Sequence, residues 1–137
     1  MRQIKFRAQD IASNKWLYGD LRHHKDDVCI FEHGGTNGEQ VKRDTIGQFT
    51  GLTDEFDREV YEGDIIMLDG SPEMGARVVV FYEESFNIAT RKEYDYLQQG
   101  AHPYLNDYSH MDCLNTWSNS GLVRVVGNIY DNPELLK

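Results

Sequence analysis

Apolar residues in this chain recur with period two, in short runs broken by turn formers, and this pattern confines it to a β-rich fold. Ile4, Phe6 and Ala8 alternate with Gln3, Lys5 and Arg7 from the outset. Trp16 and Tyr18 share one face of a second strand, which Gly19-Asp20 is expected to end. Val28–Phe31 is a third apolar run. It leads into Gly34-Gly35-Thr36-Asn37-Gly38, the clearest turn or hairpin loop, with Glu39–Arg43 returning. Further strands are predicted over 46–52, 65–68, 77–82, 85–90 and 122–126, with Ile129-Tyr130 extending the last. Glycines at 47, 51 and 127 stand where strands bulge or kink. Lys92–Gln99 reads as a short helix, and Asn132–Leu136 as a capped helical turn with Pro133 at its first position. The predicted class is therefore mainly β, a β-rich α+β fold of short strands with one or two short helices. Its expected form is a small SH3-like or irregular barrel around residues 46–90, completed by the C-terminal strand.

With 137 residues the chain has the size of one domain, 1–137, large enough to bury a core without staples. The N-terminus lacks the apolar run of a signal peptide, and no stretch approaches transmembrane length. Cys29 and Cys113 then read as reduced thiols, and the expected location is cytoplasmic, away from membranes.

Net charge is −9, with 9 basic and 14 acidic groups in residues 1–69 and 5 and 9 in residues 70–137. No basic cluster exceeds the pairs Lys42-Arg43 and Arg91-Lys92. Duplex DNA is an improbable partner on that balance, because such binders neutralise phosphates with clustered cations. A single-stranded nucleic acid held by aromatics on a barrel face is the alternative, and it requires Arg7, Lys42, Arg43, Arg91 and Lys92 to converge on one side.

Four blocks stand out in order: Ile4–Ala8; Ile46-Gly47-Gln48-Phe49-Thr50-Gly51-Leu52; Val60-Tyr61-Glu62-Gly63-Asp64-Ile65-Ile66; and Val126-Gly127-Asn128-Ile129-Tyr130-Asp131-Asn132-Pro133-Glu134-Leu135-Leu136. Together they resemble the YopX family of small phage and prophage proteins, whose biochemical role is unassigned. The resemblance implies a phage or prophage origin, a bacterial host cytoplasm and self-association, and it supplies no catalytic residues. Gln9 stands where many relatives carry a Trp, and residues 92–120 fall where the family varies. Within the chain, Ile46-Gly47-Gln48-Phe49 and Val126-Gly127-Asn128-Ile129 share an order of apolar, Gly, amide, apolar, a match short enough for chance.

Candidate residues follow from their chemistry. Gly63 suits a positive φ, and the Asp64 carboxylate suits accepting the N–H groups of its own turn. A Gly-Asp step opening an apolar strand also resembles small barrels whose loop aromatics and acids bind ligands, which makes Tyr61 and Asp64 candidate partner contacts. Residues 92–120 gather Tyr94, Tyr96, Tyr104, Tyr108 and Trp117 with few aliphatics. Tyr104, Tyr108 and Trp117 read either as an interface or as a lid over the core. His102 with His110-Met111-Asp112-Cys113 lacks the paired spacing of a zinc site, so no metal or cofactor is expected. Glu83-Glu84 reads as a solvated strand end. No nucleophile elbow or phosphate loop is present, and the expected function is a non-enzymatic protein-binding module that self-associates.

Overall fold

The computed structural model describes residues 3–32, 35, 37–100, 111–119 and 121–136. The chain divides into two compact units, Met1–Gly51 and Leu52–Lys137.

The first unit is an antiparallel sheet in the order β4-β3-β2-β1-β5, formed by β1 (Phe6–Gln9), β2 (Trp16–His24), β3 (Asp27–Phe31), β4 (Gly38–Gln40) and the start of β5 (Gly47–Thr53). Period-two alternation places Ala8, Val28 and Ile30 on one face, where they form a core with Val41 against Phe6, Leu17, Leu21 and Ile46. The N-terminal block lies against the second block: Phe6 pairs with Gln48, Arg7 with Gly47, and the Phe49 amide donates to the Lys5 carbonyl at 2.8 Å. Gly19-Asp20 does not end β2. The strand continues to His24 because Gly19 admits β3 at close range; a Cβ there would lie 2.1 Å from the Phe31 carbonyl oxygen.

Past Gly51, β5 turns through residues 54–58 into β6 (Glu59–Tyr61). The second unit is built on another antiparallel sheet, β10-β9-β8-β7-β11, from β7 (Asp64–Leu68), β8 (Arg77–Tyr82), β9 (Ser85–Ala89), β10 (Asp112–Cys113) and β11 (Val123–Asn128). Among the described residues, the helices α1 (Arg91–Gln98) and α2 (Leu114–Ser118) accompany it. Both faces are apolar. Ile66, Leu68, Val79, Ile88 and Val123 form one core with Val60 and Leu114, while Ile65, Val78, Val80 and Ala89 form another with Met111 and Leu136.

The β-rich α+β class holds, but no closed barrel forms among the described residues. The C-terminal strand does join the expected strands, as β11 against β7, yet the order stays linear with two edges. The reason is visible in Ile65-Ile66 and Val78-Val79-Val80, where consecutive residues are buried. A barrel strand alternates inward and outward side chains, whereas a sheet buried on both faces reads as a continuous apolar run and needs cover on both sides. The outer edge of β11 is met by the 54–58 turn: the Glu55 amide donates to the Val123 carbonyl, and the Val125 amide to Asp54. A strand edge covered in this way offers fewer open groups to another chain.

β11 bulges between Val125 and Gly127, as the glycine suggested. Ile129 and Tyr130 do not extend it. They lie in a turn closed by Asn128, whose Oδ1 accepts the amides of Tyr130 and Asp131. Pro133 starts a single 3-10 turn, and the Asn132 side chain reaches back to accept from the Asn128 amide rather than capping that turn.

Candidate functional site

Tyr61, Glu62, Gly63 and Asp64 form the turn from β6 to β7. Gly63 has φ +94°, and the Asp64 carboxylate accepts the Tyr61 amide at 2.7 Å. The turn is anchored on both sides, its Gly63 N–H donating to the Val79 carbonyl (2.8 Å) and its Gly63 carbonyl accepting from the Ile129 amide (2.9 Å). The third and fourth sequence blocks therefore meet here, and Asn128 pairs with Asp64 in the sheet. Tyr61 and Asp64 are each only 2% exposed. The Asp64 side chain holds the turn and the Tyr61 hydroxyl donates to Glu59 at 3.1 Å, so little of either side chain reaches a surface that a partner could touch.

The aromatic segment splits by position. Trp117, on α2, is half-buried against the core of Val60, Ile66 and Val79. Tyr94 and Leu97, three apart on α1, pack on the opposite core beside Val80 and Ala89, and burial pushes the Tyr94 hydroxyl pKa upward. Both rings behave as covers over the sheet. Tyr104 and Tyr108 lie outside the described residues, as do His102 and His110. Among the described residues no three His, Cys, Asp or Glu side chains are grouped to hold a metal ion.

The outer face of α1 is exposed. The helix starts with a capping box: the Thr90 side chain accepts from the Glu93 amide, and the Glu93 carboxylate accepts from the Thr90 amide. Beyond that cap, Arg91, Lys92, Asp95, Tyr96 and Gln99 fall on one side at helical spacing and line a shallow, open depression of about 470 Å³. Tyr96 is 38% exposed with Lys92 6.0 Å from its ring centroid. Arg91 is held by Asp95 at 3.2 Å and by the Leu136 carbonyl at 3.0 Å. Sequence reasoning missed this face, although its spacing was present once 92–99 had been read as a helix.

The five cations named for single-strand binding are differently engaged. Arg7 is buried, with its guanidinium 4.8 Å from the Trp16 ring centroid. Lys42 donates to the Asn14 side chain and Arg43 to the Asp26 carbonyl. Charge follows the division of the chain. Residues 1–51 carry eight basic and seven acidic groups, net +1; residues 52–137 carry six and sixteen, net −10.

A family model described as YopX protein matches residues 5–137. Among solved structures, the chain is similar to the crystal structure of protein EF1440 from Enterococcus faecalis, at 21% identity over 100% of both chains with a TM-score of 0.56. That likeness is one of fold. A comparison with curated proteins finds no match.

Proposed function

The chain belongs to the YopX family, and from that premise we propose that it is a phage- or prophage-encoded accessory protein of the host cytoplasm, acting by binding another protein rather than by catalysis. The observation that carries this reading is the outer face of α1. It combines a partly exposed tyrosine, opposite charges within one turn and a shallow depression on a unit of net charge −10. Tyrosine offers large contact area at low entropy cost, and mixed charges around it set orientation. An acidic unit favours a basic partner surface and speeds its approach. Self-association through the same face is the form of this reading that needs no second component.

The test compares wild type with a Lys92→Glu/Tyr96→Ala double variant, whose side chains point away from the core. Light scattering gives the mass in solution, and chemical crosslinking with mass spectrometry in host cells identifies what α1 touches. A multimer or a crosslinked partner that disappears in the folded double variant supports the reading. A monomer with no α1 crosslinks, or contacts that the variant leaves unchanged, overturns it.

A further inference from the structure

The sheet of the first unit has a second face, opposite the core of Ala8, Val28 and Ile30. The register defines it: Arg7 pairs with Tyr18, and Asp20 with Phe31, so alternation puts Arg7, Trp16, Tyr18, Asp20, Arg22 and Phe31 on the same side. Cations and rings interleave there along cross-strand diagonals. The Arg7 guanidinium lies 4.8 Å from the Trp16 centroid and that of Arg22 4.4 Å from the Phe31 centroid. Tyr18 stands between the two pairs and is 44% exposed. The Arg22 side chain is 59% exposed, and its ion pair with Asp20, at 3.9 Å, lies beyond hydrogen-bond length.

We infer that this face binds single-stranded nucleic acid, with a base stacking on the exposed Tyr18 ring and Arg22 contacting the phosphate chain. A ring tolerates any base, and a guanidinium stacked on a ring keeps edge N–H groups directed outward for phosphate. A single strand fits better than a duplex because its bases are open to stacking, and a flat strip without a cation cluster gives a duplex little to hold. The charge division supports this choice: the unit bearing the strip is net +1 while the acidic excess resides in the other. The inference goes beyond the protein-binding reading and uses none of its residues.

The experiment is fluorescence anisotropy with fluorescein-labelled oligothymidylate of about 15 nucleotides, a length within common site sizes, at low salt. Oligouridylate of equal length separates RNA from DNA as the preferred strand, and a duplex of equal length is the comparison. Binding in the micromolar range is expected, weaker for the duplex, and reduced about tenfold by Tyr18→Ala through lost stacking. Arg22→Ala should also weaken it and lower its salt dependence. Tyr96→Ala should bind like wild type, which separates this outcome from that of the α1 test. No anisotropy change up to about 100 µM protein, a concentration that covers even weak non-specific binding, overturns the inference. So does duplex binding of equal strength, or binding that survives both Tyr18→Ala and Arg22→Ala in variants whose thermal melts match wild type.

Discussion

The Val125 amide donates a 3.0 Å hydrogen bond to Asp54 Oδ2 across 71 residues of sequence. The same carboxylate accepts from the amides of Phe56 and Arg58 on Oδ1, and from the Arg58 side chain on Oδ2 at 3.0 Å. Its side chain is fully buried. Burial opposes the charge, but the donors from Val125, Arg58 and Phe56 outweigh it and hold the pKa below the ordinary carboxylate value. One acid thus closes the 54–58 turn and covers the edge of β11.

Asp54→Asn is predicted to destabilise the protein by about 2 kcal/mol at pH 7, since an amide nitrogen would face the Val125 N–H and the Arg58 guanidinium where Oδ2 now accepts. A depressed folded pKa means that the stabilisation is complete above the unfolded value near 4 and is lost as pH falls through the lower folded value. Urea unfolding at several pH values should show wild type and variant converging as pH falls below the ordinary carboxylate range. A gap that persists there would show that the carboxylate's charge is not what holds the turn.

At Gly63 the backbone is left-handed, with both its amide and its carbonyl bonded to other segments. Gly63→Val is expected to cost about 1 kcal/mol or more through strain at φ +94°. The check is a thermal melt, and an unchanged midpoint would remove the turn's claim on glycine.

Glu83 and Glu84, exposed just past the end of β8, are the two central residues of the β8–β9 hairpin, with φ of +50° and +67°. Two positive φ values in a two-residue loop mark the mirror-image turn that favours Asn-Gly. Here it is occupied by adjacent like charges. Replacing the pair with Asn-Gly should stabilise the protein by about 1 kcal/mol, read as a rise of about 3 °C in Tm. A fall would mean that the glutamates make contacts that offset their backbone strain.

Trp117 and Tyr96 should respond in opposite ways. Trp117→Ser removes a ring packed on the core and is expected to cost about 2 kcal/mol without altering mass in solution. Tyr96→Ser, on the outer side of α1, should change stability by less than about 0.5 kcal/mol. Circular dichroism melts and light scattering on the two variants distinguish a cover from a contact.

Much of the local structure was legible in the sequence because its causes are local. Period-two runs marked most of the strands, Lys92–Gln99 read as a helix, and Gly63-Asp64 marked a turn, since propensity and backbone freedom belong to adjacent residues. The open sheets, by contrast, follow from burial on both faces of β7 and β8, and an apolar run alone does not say whether its second face meets a helix or another strand. The same limit hid the two-by-two meeting of the four blocks, the cover that Asp54 provides for β11 and the cation–ring diagonals from Arg7 to Phe31. Each joins residues distant along the chain, through a register that only cooperative packing selects. The sequence by itself determined the β-rich class and its turns. Tertiary structure alone decided which edges stay open, which aromatics are covers, and how the acidic excess came to reside in one unit.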